Sequence, residues 1–267
     1  MISNTLSDQE FTQFQRFIQQ AAGIHLSPAK KTLVAGRLGK RVQQHGLASY
    51  GAYFKLIAGD EAQAERQVAV DLLTTNETYF FREAKHFEVL RKHAVSAAGR
   101  SEFRVWSAAS SSGEEAYSIA MVLADCLGER PWEVVGSDIS SRVLERARTG
   151  HYVEARTTQI PPEYLKRFCL KGAGSQAGTV LVSKALRNRV SFVHANLNEP
   201  LPQLGKFDVI FLRNVMIYFN NDTKREVVAR LLERLKPGGY FLVGHSESLN
   251  DISTAVEAVA PSTYRKP

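Results

Sequence analysis

Glu115, Asp138, Asn196, Arg213 and Asn214 are polar residues that fall where the hydropathy pattern places the carboxyl ends of strands, and Tyr218 lies a little beyond them. In an open α/β sheet a ligand sits there, in the crevice outside the strand ends. An acid at the tip of a second strand, as Asp138 is, suits a pair of ribose hydroxyls. Asn196 or its neighbouring backbone suits an adenine edge, because an amide both donates and accepts. Arg82 follows Tyr79, Phe80 and Phe81, and a guanidinium flanked by apolar rings invites a carboxylate partner. A carboxylate acceptor is ionised at neutral pH and needs no general base, only donors that position it without quenching it. Arg82 and Tyr218 are the pair suited to that task, with a core aromatic the competing reading of Tyr218. There is no Ser/His/Asp set with elbow spacing, no HExxH and no P-loop. The histidines are scattered, His194 and His245 read as structural, and no metal is expected.

The stretch that must hold this chemistry is RVWSAASSSGEEAYSIAMVLA, residues 104–124. A short apolar strand at 103–106 passes through small residues at 107–113 into a helix that begins near Glu114. Small residues let the backbone approach a ligand, although taken alone the stretch could be an ordinary βα connection. Glu114 and Glu115 stand where a phosphate site wants bare amide donors, which argues against a pyrophosphate. A phosphate-free nucleoside such as S-adenosylmethionine fits better than NAD. Its sulfonium is already reactive, so alignment of the nucleophile is the main task left to the protein.

Around this stretch the chain divides in two. Residues 1–75 read as an all-helical, basic recognition domain. Ser7 and Glu10 form a capping box ahead of the stripe Phe11, Phe14, Phe17 and Ile18, and Gly23 ends that helix. Further helices are predicted from Ser27-Pro28 to about 45, over 49–57 and over 61–73. From Phe11 to Gly59 there is no Asp or Glu, while Arg16, Lys30, Lys31, Arg37, Lys40, Arg41 and Lys55 all occur. Lys30, Arg37 and Arg41 can share one helical face with Lys40 nearby, which favours an acidic partner over plain solvated surface. No aromatic interleaving suggests base stacking, so protein is preferred to nucleic acid.

Residues 76–267 read as an α/β domain. A helix at 85–93 leads into strands at 103–106, 132–138, 190–194, 209–212, 240–243, 255–259 and 263–265, about seven in one mostly parallel sheet. Residues 151–190 break the βα rhythm with a glycine-rich stretch, LKGAGSQAGTVLVS, and a strand at 179–182. This reads as a small inserted β-subdomain whose exposed edge could accept an extended peptide. The 267 residues are 44% hydrophobic and carry a net charge of +7, ample for a sizeable core. Cys126 and Cys169 suggest no disulfide framework. No signal peptide or membrane span is apparent, so a cytoplasmic protein is expected.

These motifs together resemble the chemotaxis receptor methyltransferase (CheR) family. The likeness runs over nearly the whole chain: TNETYFFRE at 75–83, RVWSAASSSGEEAYSIAM at 104–121, SDIS around Asp138, NLNEPLP from Asn196, FDVIFLRNVMIYF at 207–219 and LKPGGYFLVGHSESL at 235–249. It implies transfer of the methyl group of S-adenosylmethionine to chemoreceptor glutamates, giving methyl esters and S-adenosylhomocysteine. The implied cofactor contacts are Asn76, Thr78, Arg82, Glu115, Asp138, Asn196, Leu197, Arg213 and Asn214, with Arg82 and Tyr218 beside the methyl transfer. The basic second helix resembles the receptor-recognition surface. The loop with Gly172, Gly174 and Gly178 resembles the variety that docks a receptor's C-terminal peptide. Such an enzyme is expected to be a monomer recruited to membrane receptor arrays. The departures are mild: Ser110 to Ser112 stand where members often have Cys-Ser-Thr or Ala-Ser-Thr, Ala116 where proline is common, and Gln43 where some relatives carry a basic residue. An RNA or small-molecule methyltransferase, or a receptor-tail-binding scaffold without activity, are the alternatives.

Overall fold

The computed structural model describes residues 5–97, 99 and 102–267. Helix α1 (Asp8–Ala22) begins at the expected capping box, in which Ser7 and Glu10 satisfy each other's backbone donors, and ends at Gly23 in the left-handed conformation. It buries Phe11, Phe14, Ile18 and Ala22. Pro28 opens a single 3₁₀ turn, so α2 (Lys31–Gln44) starts slightly later than expected. Helices α3 (Tyr50–Ala58), capped by Ser49, and α4 (Gln63–Leu73) complete the helical layer. Helix α5 (Lys85–Ala97) runs into β1 (Phe103–Ser107).

The order then alternates through α6 (Glu114–Leu127), β2 (Trp132–Asp138) and α7 (Ser141–Thr149). The insertion contributes β3 (His151–Val153), α8 (Pro162–Phe168), β4 (Cys169–Lys171), β5 (Thr179–Val182) and α9 (Lys184–Arg187). The main sheet resumes with β6 (Val190–His194), β7 (Phe207–Leu212), α10 (Asn221–Glu233), β8 (Leu235–Val243), β9 (Glu257–Ala260) and β10 (Thr263–Arg265). Its seven strands lie in the order β6-β2-β1-β7-β8-β10-β9. The first five run parallel to one another; β10 and β9 close the sheet antiparallel.

Both faces of the sheet are covered, which is why its central strands read as unbroken apolar runs. Strand β7 shows the division. Ile210 and Leu212 point into a core shared with Phe14, Leu38 and Tyr53 of the helical layer. Val209 and Phe211 point into a second core with Ile119, Met121 and Leu90. Helices α1–α4 therefore share a hydrophobic core with one sheet face and sit over it as a cap.

The inserted sheet has the order β3-β5-β4, so residues 179–182 form its middle strand and the free edges are β3 and β4. Those three-residue strands are too short to show an alternation in sequence. Strand β8 begins at Leu235 instead of Tyr240 because the Lys236-Pro237-Gly238-Gly239 segment is taken into the ladder as a bulge against β7.

Candidate functional site

A cleft of about 820 Å³, open solvent included, lies at the carboxyl ends of β1, β2, β6 and β7. Asn76, Thr78, Arg82, Glu115, Asp138, Asn196, Leu197, Arg213, Asn214 and Tyr218 all line it. The turn into α6 makes the floor. Gly113 begins that helix at φ 94, and a Cβ there would sit 2.9 Å from the Ala147 side chain, so only glycine fits.

Asp138 is buried and holds this turn. Its Oδ2 accepts from the Ser111 backbone N–H at 2.9 Å and its Oδ1 from that of Ser140 at 2.9 Å. Burial pushes its carboxyl upward; the two N–H donors only partly offset this, Asp71 adds to it, and the group stands at about 6. Glu115 accepts from the Ser107 hydroxyl at 2.7 Å and lies 3.2 Å from Arg213 Nη1. Its burial outweighs these partners and raises its carboxyl above the usual range. Glu114 does not face the cleft. It is fully buried, accepts from Ser112, and pairs with Arg156 of the insertion through Nε at 2.8 Å. The pair of acids thus splits, with one lining the cleft and the other fastening the inserted subdomain to its floor.

Glu83, which sequence reasoning passed over, ties the loop before α5 to the strand ends. Its carboxylate lies 3.1 Å from Arg213 Nη2 and accepts from Asn214 Nδ2 at 3.3 Å and from the His245 backbone N–H at 3.2 Å. Burial would raise it, but the Arg213 charge, the His245 backbone N–H and the Asn214 amide together prevail and its carboxyl is lowered. Arg213 also donates to the carbonyl of Arg82. The Arg82 guanidinium stands 5.6 Å from the Tyr79 ring centroid. Of the aromatic run, Phe80 is core while Tyr79 is 44% exposed. Glu247 was likewise missed. It accepts from the backbone N–H groups of Asn214, Ile217 and Gly244, and so shapes the loop that presents Tyr218. An acid three residues beyond a glycine at a strand end was the available sign.

The helical cap reaches the same loop. Ile24 bridges to Phe219, and the His25 backbone N–H donates to the Tyr218 carbonyl at 2.8 Å. Ala22 and Ile24 themselves line the cleft. Phe81, Glu83, Ser111 and Asn214 all adopt positive φ. Such strain in non-glycine residues gathers where a site over-determines its backbone.

The side-chain amide of Asn196 is already committed: it donates to the Ala21 carbonyl and accepts from the Asn198 backbone. That leaves the backbone around Leu197, and not the Asn196 amide, able to meet an adenine edge. The basic residues of the second helix divide. Arg37 donates to the carbonyls of Leu73 and Thr74, and burial lowers its guanidinium. Arg41 pairs with Glu65. Lys30 and Lys40 are exposed and form no ion pair among the described residues. Gly172, Gly174 and Gly178 lie in the β4–β5 connection, away from the cleft; a Cβ on Gly172 would strike the Gln176 carbonyl at 2.0 Å.

The cleft suits S-adenosylmethionine. Arg213 Nη1, buried on its wall, faces Glu115 at 3.2 Å but makes no hydrogen bond among the described residues, so it can still donate to the carboxylate of an amino acid. Asp138 offers acceptors for hydroxyls, and Ile139, Ala195 and Leu197 offer an apolar bed. Residues 9–74 match the all-alpha domain of CheR methyltransferases. Residues 76–265 match their SAM-binding domain. The chain belongs to the CheR methyltransferase family. A chemotaxis protein methyltransferase of Escherichia coli K12 is 44% identical over 250 residues, covering 92% of this chain and 87% of that protein. The protein from Salmonella typhimurium is 43% identical over 250 residues, with 92% and 86% covered. A Pseudomonas aeruginosa PAO1 chemotaxis protein methyltransferase is 40% identical over 260 residues, with 96% and 92% covered. CheR membership gives the cleft its cofactor: the SAM-binding match spans every residue named above as lining it, apart from Ala22 and Ile24 of the cap.

Proposed function

We propose that this CheR-family protein transfers the methyl group of S-adenosylmethionine to glutamate side chains of chemoreceptor cytoplasmic regions, giving methyl esters and S-adenosylhomocysteine. The observation that carries the reading is the meeting of Arg82 and Tyr218 with Glu115, Asp138 and Arg213 in one cleft. Bound there, S-adenosylmethionine supplies a methyl group on a positively charged sulfur. The protein's part is to aim an already ionised carboxylate at it. Arg82 and the Tyr218 hydroxyl are the donors that hold that carboxylate, while Arg213 is kept from it by Glu83 and Glu115. Fixing the two reactants in line is worth on the order of several kcal/mol of the barrier. Incubation with methyl-labelled cofactor should label receptor cytoplasmic domains with base-labile ester; base-stable label would refute the assignment.

Receptor recognition is assigned to the basic face of the second helix. Lys30 and Lys40 are free to meet acidic groups, and Arg37 and Arg41 shape the surface between them. The inserted sheet is assigned the docking of a receptor C-terminal peptide along a free edge. Leu170 on β4 is 59% exposed and Val153 on β3 is 54% exposed, as such an edge needs. Calorimetry with receptor tail peptides should show binding that is lost on deletion of residues 172–178. No helix among the described residues is long and apolar enough to cross a membrane. Recruitment of a monomer to receptor arrays in the cytoplasm would follow from these two contacts.

A further inference from the structure

Beside the cleft, behind Arg213, Glu83 meets two side chains, His86 and His245, that the methyl-transfer chemistry does not use. His86 on α5 is 1% exposed, and among the described residues neither of its ring nitrogens has a hydrogen-bond partner. Burying an imidazole with both nitrogens unpaired is costly. Its Nδ1 faces Glu83 Oε2 at 3.5 Å. His245 Nε2 lies 3.9 Å from the same oxygen, and the two imidazole rings meet edge to face with centroids 5.2 Å apart. One donor atom from each of the three residues lies within 4.8 Å of the other two.

We infer that Glu83, His86 and His245 form an inhibitory binding site for a zinc-like divalent cation. Two imidazoles and one carboxylate are a set that suits zinc, with bonds of about 2.0–2.2 Å and a fourth position left for water. Tetrahedral bonds of that length put the ligand atoms roughly 3.3–3.6 Å apart, close to the 3.5 and 3.9 Å separations here. His245 is half exposed, so its ring can turn inward to close the set, and it marks the way in. Imidazole donors favour zinc, copper or nickel over magnesium or calcium, which want oxygen.

Competition makes the site regulatory. Glu83 Oε2 is also 3.1 Å from Arg213, so an entering cation must take that carboxylate from the guanidinium. The Arg213 charge weakens the ion's hold, and Glu115 at 3.2 Å remains as its fallback partner. Arg213 and the Arg82 carbonyl it holds then shift, and the wall of the cofactor cleft shifts with them. The inhibitory consequence rests on the proposed methyl-transfer reading; the binding of the ion does not.

The test begins with metal-stripped full-length protein and zinc titrated against a chromogenic chelator, without cofactor. One equivalent should bind, and His245→Ala should weaken it at least tenfold. Calorimetry should then show S-adenosylhomocysteine binding weakened by zinc in the parent but not in His245→Ala. In metal-free buffer the variant should bind the nucleoside as the parent does. Unchanged zinc affinity in both His245→Ala and His86→Gln, or an equal response to magnesium, would overturn the site. Zinc binding that leaves nucleoside affinity unaltered would overturn its inhibitory role, whatever the protein's activity.

Discussion

Lowering the pH from 7 to 5 should weaken binding of S-adenosylhomocysteine, with Asp138 as the cause. Its carboxyl stands at about 6 because burial outweighs the two backbone N–H groups that reach it, with Asp71 raising it further and His194 opposing. Ribose hydroxyls donate to the carboxylate, whereas the protonated acid loses an acceptor and presents a competing O–H. If only the ionised form binds, Kd scales as one plus ten to the power of the pKa minus pH, a rise of about tenfold, or about 1.4 kcal/mol, between pH 7 and pH 5. The sign for folding is opposite. The native carboxyl holds its proton more tightly than the usual acid at 3.8, so this group makes the free protein less stable as pH rises from about 4 through about 6. The bound nucleoside offsets that cost. Calorimetric titrations at several pH values, on the parent and on Asp138→Asn, measure the effect. The parent should show the slope, and the variant should bind weakly at every pH. A parent Kd flat from pH 7 to pH 5, or a slope retained in Asp138→Asn, would refute the reasoning.

Other expectations follow from the same geometry. Arg82→Ala and Tyr218→Phe should each lower kcat about a hundredfold while changing nucleoside affinity far less, read by steady-state kinetics and calorimetry; unaltered turnover in both would remove their assigned roles. Burial raises the Glu65 carboxyl, but bonds from Arg41, Tyr53 and His45 prevail and hold it at about 2, against 4.5 for an ordinary glutamate. That stabilises the helical layer above about pH 4.5 and is lost as pH falls through about 2, so Glu65→Gln should cost about 3 kcal/mol in urea unfolding at pH 7. Arg156→Ala strands the fully buried Glu114 carboxylate and should cost about 3 kcal/mol, most of which a second change, Glu114→Gln, should restore. A double variant as unstable as Arg156→Ala alone would show that the ion pair is not the cause.

Much of the fold was legible because its signals are local. The Ser7 capping box, Gly23, the apolar run of β7 and the turn at 107–113 each state their conformation within a few residues. The cleft residues were legible because strand ends in a parallel sheet converge wherever they fall in the chain. Partnership was not legible. Arg41 reads as a free cation in an acid-free run, yet its partner Glu65 lies on the next helix but one. Glu114 and Glu115 are adjacent in sequence and face different neighbours, since consecutive helical positions are turned by about 100°. Glu83 and Glu247 escaped notice for a related reason: most of their partners, Arg213, Asn214 and the His245 N–H for Glu83 and the Asn214 and Ile217 N–H groups for Glu247, lie far off in the chain.

The small antiparallel bridge between Ile24 and Phe219, with the His25 N–H on the Tyr218 carbonyl, bears on how such enzymes can be recombined. The segment that leaves the first helix props up the backbone behind the proposed catalytic tyrosine. A chimera that grafts a foreign receptor-reading cap onto this methyltransferase body would import a new prop along with a new preference. Its turnover would then vary with the graft even for a shared receptor. Exchanging the second helix alone, and leaving residues 22–26 native, is the cut that would alter choice of substrate while sparing the rate.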